Sequence, residues 1–223
     1  MTNLLIPEIQ TPESLIGETQ SIEFFRQFFT DPILRRICLK MGEGYKKSSD
    51  RFQEYRYASK ETRGNDRRGV IEDMFQDFGN FEPSVKVNNY SYDAKKSGYY
   101  TALQCGPVIL TFSKTENENA LPRAAIFRET IAQGSEFLFE DGTLRNATTP
   151  VLHAILTHRP AQGDPKGQIP KFITIGIPDR SYRSFVAKIS LHLVFANDFV
   201  DEVIQEEAKP KLRIKRQIEE KQA

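Results

Sequence analysis

Hydrophobic residues in the first third of the chain recur at intervals of three and four, which is the spacing of one helical face. This pattern predicts a helix from Glu13 toward Phe29. A second helix is predicted to start at Asp31-Pro32, because aspartate caps a helix and proline is tolerated in the first turn. Residues 63–66 are predicted to be a loop, and a third helix is predicted to end at Gly79.

After Pro83 the spacing changes to alternation and to short β-branched runs separated by glycine and proline. Strands are predicted near 84–92, 99–104, 108–112, 151–157, 171–177 and 189–195, with a short helix at 123–132. Strands this close in sequence favour an antiparallel meander. The predicted fold class is therefore α+β, with N-terminal helices packed on a C-terminal, mostly antiparallel sheet of about five to six strands.

The helical segment has too many phenylalanines to bury by itself, so one cooperative domain is predicted over 1–200. Its helical part is 12–80 and its sheet part is 84–196, and a charged C-terminal tail follows at 201–223. Cys38 and Cys105 match no metal or disulfide pattern and are expected to be buried free thiols. The chain shows neither a signal-peptide pattern nor a membrane-length apolar run, which predicts a cytoplasmic protein without membrane contact.

The formal net charge is only +1, so any electrostatic function must come from local clusters. The segment 46–68 carries eight basic and four acidic side chains, a local net charge of +4, with aromatic residues between them. Such mixtures suit phosphate contacts and base stacking, although a solvated helix has the same composition. The candidate binding residues are Lys46, Lys47, Arg51, Arg56, Arg63, Arg67 and Arg68, together with Lys211, Arg213, Lys215 and Arg216 in the tail.

Catalytic signatures are weak in this sequence. The candidates are His158, Asp164 and Asp179, which lie in or next to glycine- and proline-rich connections where a base, an orienting carboxylate and an anion contact can meet. A metal-dependent nuclease strand would need a carboxylate two residues before its lysine, and Phe112-Ser113-Lys114 has none. Glu72 and Asp73 are expected on a solvated helix face. No metal site and no cofactor are predicted.

Three functional classes follow. The first is a non-catalytic binding or regulatory protein, of a bacterial or phage toxin–antitoxin or defence module, that contacts nucleic acid or a partner protein through its basic segments. The second is a hydrolase or nuclease that uses His158, Asp164 and Asp179. The third is an assembly protein that meets a partner through a sheet edge or through the apolar patch at 137–139. The first class requires the basic side chains of 46–68 to share one outward face.

Overall fold

The computed structural model describes residues 18–53, 60–91, 99–132, 135–140, 143–161 and 169–191. The helices are α1 (Glu18–Phe28), α2 (Asp31–Gln53), α3 (Lys60–Gln76), α4 (Phe78–Phe81) and α5 (Ile126–Ala132). The strands are β1 (Lys86–Ser91), β2 (Tyr99–Cys105), β3 (Val108–Lys114), β4 (Ser135–Glu140), β5 (Thr143–Pro150), β6 (Leu152–Pro160), β7 (Pro170–Pro178) and β8 (Phe185–Ser190). Helices precede a mostly antiparallel sheet, which confirms the predicted α+β class.

The main sheet has six strands in the order β1-β2-β3-β6-β7-β8, and β4 and β5 form a separate hairpin. Its neighbouring strands are antiparallel except for β3 and β6, which run parallel. A parallel pair needs a long crossover, and here α5 and the β4–β5 hairpin supply it. In the parallel register Lys114 lies opposite His158, so the carboxyl ends of both strands meet at one end of the sheet.

Alternating side chains of the sheet enter two apolar layers. The layer toward α1, α2 and α3 is the larger one and contains Phe25, Ile37, Ile71, Leu110 and Ile175 among its buried residues. On the opposite face α5 packs against the sheet through Phe127 and Ile131. Cys38 and Cys105 are buried free thiols, as predicted.

One helical prediction is wrong, because the predicted loop at 63–66 lies inside α3. The second helix, for which only a start was predicted, continues through Gly42 and Gly44 to Gln53. Gly44 lies where α2 crosses α3, because a Cβ there would come within 3.0 Å of Ile71 Cγ1. Helix contact therefore outweighs the low helix propensity of glycine.

The last described strand begins at Phe185, four residues before the predicted start. No strands were predicted at β4 and β5, which form an antiparallel hairpin. The predicted tail at 201–223 lies outside the described residues. Within the described chain, no helix is long and apolar enough to cross a membrane.

Candidate functional site

A cavity of about 350 Å³ lies where the parallel strands β3 and β6 end. Helix α3 contributes Arg67, Arg68, Ile71 and Glu72 to its wall, and α5 contributes Arg128. The strands contribute Phe112, Ser113 and Lys114 from β3 and His158 from β6. Ligands commonly bind outside the carboxyl ends of parallel strands, because the loops and helices that follow leave a crevice there.

His158 is buried in the floor of this cavity and is paired with a tyrosine. Its Nδ1 lies 2.7 Å from Tyr45 Oη, and the two rings meet edge to face. Burial, with the nearby charges of Arg67 and Lys114, lowers the pKa of His158 to about 3, so its imidazole is neutral. Burial also raises the pKa of Tyr45, which keeps its hydroxyl protonated. A hydrogen bond therefore joins the Tyr45 hydroxyl to Nδ1, and in the tautomer in which the phenol donates, the imidazole carries its single proton on Nε2.

Arg67 points inward, against this pair. Its guanidinium carbon lies 4.9 Å from the centre of the Tyr45 ring, and the residue is only 9% exposed. Arg67 precedes Ile71 by four residues and Phe75 by eight, so it lies on the apolar stripe of α3. A cation over the face of a tyrosine ring is stabilised by the ring quadrupole.

The remaining cations of the cavity differ in whether a carboxylate neutralises their charge. Arg68 Nε donates to Glu72 Oε1 at 2.7 Å. Neither Lys114 nor Arg128 forms an ion pair with a carboxylate of the described chain. Arg128 donates to the Arg123 carbonyl oxygen at 2.9 Å, but its buried Nε has no hydrogen-bond partner among the residues described. Burial lowers the pKa of Arg128, because the charged form is poorly solvated.

The charge balance of the cavity therefore favours an anion. Four cationic side chains line it, against one carboxylate, Glu72, within the part of the chain that the structure describes. Burial raises the pKa of Glu72 although its contact with Arg68 opposes that change, so even this carboxylate carries its charge less readily than usual. A partly buried, uncompensated cation is unfavourable by itself, and a bound anion would remove that penalty.

The described side chains of the basic segment do not form the shared outward face that the sequence analysis required. Arg67 is buried, Arg68 is paired with Glu72, and Arg51 Nε lies 3.6 Å from Asp66 Oδ1. Lys46 and Lys47 are exposed on α2. Arg63 lies in α3, but its side chain is outside the described set, and Arg56, Lys211, Arg213, Lys215 and Arg216 lie outside the described residues altogether.

The three catalytic candidates are not brought together among the described residues. His158 is opposite Ile173 on β7, whereas Asp179 comes six residues later, about 20 Å along the strand at roughly 3.3 Å per residue. The Asp179 carboxylate accepts hydrogen bonds from Ser181 and Ser184 in the turn before β8. Asp164 lies outside the described residues. The described part of the chain holds no group of three or more metal-ligating side chains.

Several residues of the cavity were missed or misplaced by the sequence analysis. Glu72 was expected on a solvated face but lies in the cavity, and Lys114 was considered only as part of a nuclease strand. Arg128 was not singled out. The available signal was the order strand, helix, strand over β3, α5 and β6, because such a crossover permits a parallel pair whose carboxyl ends meet. The patch at 137–139 lies in β4, where no described contact tests its predicted role.

Comparison of the chain with protein-family models, with curated proteins and with solved structures finds no match in any of the three. Functional inference therefore rests on the cavity itself.

Proposed function

We propose that this chain is a non-catalytic binding protein that holds a phosphate group of a nucleic acid in the cavity at the ends of β3 and β6. The observation that carries the proposal is the excess of cations there, with Lys114 and Arg128 lacking a carboxylate partner within the described residues. Phosphate oxygens accept hydrogen bonds from arginine and lysine, and Phe112 and Ile71 give the same cavity an apolar wall.

This proposal keeps the predicted ligand class but moves the contact site. The predicted contacts came from the basic segment 46–68 and the tail, and of those candidates Arg67 and Arg68 line the cavity between α3, α5 and the sheet. An acidic partner protein is the other ligand that basic residues attract, and the binding experiment distinguishes it. The predicted cytoplasmic location and the predicted role in a toxin–antitoxin or defence module stay predictions, which the identities of neighbouring genes would test.

Fluorescence anisotropy with labelled single-stranded DNA and RNA, at low and at moderate salt, tests the proposal. Binding should weaken as salt rises, because phosphate contacts release counterions. Lys114→Gln should weaken binding about tenfold while thermal stability is kept, since Lys114 is exposed.

Lys86→Gln is the matched control, because Lys86 is an exposed strand lysine paired with Gln104 at the opposite end of the sheet. It should leave binding unchanged. Absence of binding at low salt, or equal effects of the two lysine variants, would contradict the proposal.

A further inference from the structure

We propose that the cavity recognises a terminal phosphate monoester, such as the phosphorylated end of a strand or a nucleoside monophosphate, in preference to an internal phosphodiester. This inference rests on the proposed function and specifies its ligand. It follows from the size of the cavity, the number of its donors and the fixed state of His158.

The size of the cavity favours a single unit of a nucleic acid. A volume of about 350 Å³ lies at the lower end of the range for small-molecule sites, which is about 300–1,000 Å³. One phosphate with one sugar or base fits that space, whereas a length of duplex needs an extended groove. Helices α3 and α5 flank the strand ends, so the phosphate is approached from both faces of the sheet.

The donors of the cavity outnumber the acceptors of a diester. A terminal phosphate has three strongly accepting oxygens, and an internal phosphodiester has only two that are not bridging. Lys114, the Arg128 guanidinium and the Ser113 hydroxyl line the cavity, as do Arg67 and Arg68. A monoester also carries about −1.5 to −2 charge at neutral pH, against about −1 for each phosphate in a strand, so its Coulomb attraction to the same cations is larger.

His158 adds a polar group whose charge does not change near neutral pH. Tyr45 of α2 holds its Nδ1, and Arg67 of α3 and Lys114 of β3 face it with positive charge. Protonation is thereby opposed from three elements, and the ring stays neutral. With Tyr45 donating to Nδ1, Nε2 carries the single ring proton and can give a neutral hydrogen bond to a phosphate oxygen, and Tyr45 is then a positioning residue.

The pH dependence of binding shows whether titration of the ligand or of the protein changes the affinity. The second ionisation of a monoester has a pKa of about 6, so raising the pH from 5 to 7.5 should tighten its binding several-fold. Glu72, the carboxylate of the described cavity wall, becomes more negative over the same change and acts in the opposite direction. A gain in affinity with pH therefore comes from the ligand, and binding of an unphosphorylated strand should not gain.

The test compares one labelled oligonucleotide with a 5′-phosphate, a 3′-phosphate or hydroxyl ends, against the full chain. We expect at least one phosphorylated end to bind about tenfold more tightly than the hydroxyl strand. Lys114→Gln should abolish this preference, and Lys86→Gln should retain it. Glu72→Gln should tighten binding about threefold, because it removes the competing carboxylate beside Arg68.

The outcomes are distinguishable. If all three strands bind equally and Lys114→Gln weakens each, the monoester inference is overturned while phosphate binding in the cavity stands. If no strand binds at low salt, or if Lys114→Gln and Glu72→Gln change nothing, the proposed function itself fails. Competition by a nucleoside monophosphate as strong as that by the phosphorylated strand supports a free nucleotide as ligand. Weaker competition supports a strand end.

Discussion

Two buried histidines on one strand show how the same side chain serves different regions of this molecule. His153 and His158 are five residues apart on β6, so they point to opposite faces of the sheet. His153 Nε2 lies 3.0 Å from Thr111 Oγ1 on the face covered by α5, and His158 pairs with Tyr45 beside the cationic cavity. Burial lowers the pKa of each to about 3. Both rings are neutral, but only His158 lies next to a place where a ligand can bind.

The comparison separates two uses of a buried imidazole. His153 is buried under α5, where the charge of Arg128 also opposes its protonation, but its side chain does not line the cavity. At His158 the surroundings are charged, and the ring links a core tyrosine to the wall of the cavity. Burial and a shifted pKa therefore do not by themselves mark a functional histidine. What distinguishes the two is position, because His158 lines the cavity and His153 does not.

Lowering the pH should destabilise the protein through both histidines, and this is the largest effect we expect. An unfolded histidine binds a proton near pH 6.5, whereas the folded ones do so only near pH 3. The unfolded state thus binds more protons between these values, so stability is full above about pH 6.5 and falls as the pH drops. The free energy of unfolding should decrease by roughly 4 kcal/mol between pH 7 and pH 5, at about 1.4 kcal/mol per pH unit for each histidine.

Urea denaturation at several pH values measures this decrease. His153→Gln should remove about half of the slope, because a glutamine does not titrate. An unchanged slope in that variant would mean that the two rings do not share the same buried, neutral state.

Truncating His153 should destabilise the fold without changing the affinity for the ligand. His153→Ala removes a fully buried ring and leaves the Thr111 hydroxyl without its partner, so we expect a loss of about 3 kcal/mol. Binding of a phosphorylated oligonucleotide, measured at a temperature where the variant is folded, should stay within twofold of the original. His158→Ala should lower both stability and affinity, and equal affinities for the two variants would erase the distinction between the sites.

Removing only the hydroxyl that holds each ring gives a finer comparison. Tyr45→Phe and Thr111→Val each delete one buried hydrogen bond to a histidine, which we expect to destabilise the protein by about 1–2 kcal/mol. Only Tyr45→Phe should also weaken phosphate binding, about threefold, because His158, which lines the cavity, then loses the hydroxyl that holds its Nδ1. Denaturation and anisotropy titrations of both variants measure these effects. If Thr111→Val weakens binding as much as Tyr45→Phe, the loss of affinity comes from general destabilisation of the sheet.

Local sequence patterns predicted most of the helices and strands of this fold, but they did not predict how the strands pair. The spacing of Ile37 and Met41 predicted a core face of α2, and alternation placed β1, β2 and β3 within two residues of their bounds. The partner of β3 is 38 or more residues away in sequence, across α5 and a hairpin, so no local signal fixed it as parallel. The cavity depends on that long-range pairing, since Lys114 and His158 become neighbours only through it.

The composition of the basic segment also did not reveal which of its side chains point outward. Counting charges over 46–68 treated Arg67 as one of several exposed cations, whereas its place four residues before Ile71 puts it on the buried stripe. Helical phase was therefore the informative property, and net charge was not. The same phase argument applies to Tyr45, which follows Met41 by four residues and is fully buried.

The smallest expected effect distinguishes cations that line the cavity from cations on α2, which contributes no lining residue. Arg51→Gln removes a half-exposed side chain whose Nε is 3.6 Å from Asp66 Oδ1, and an exposed pair of this kind contributes about 0–1 kcal/mol. Stability should therefore change by less than about 0.5 kcal/mol, and affinity for a phosphorylated strand should stay within twofold. Lys114→Gln, measured beside it by the same anisotropy titration, should weaken binding about tenfold. A larger effect from Arg51 than from Lys114 would return the binding surface to the outer face of α2 and would leave His158 without a role in binding.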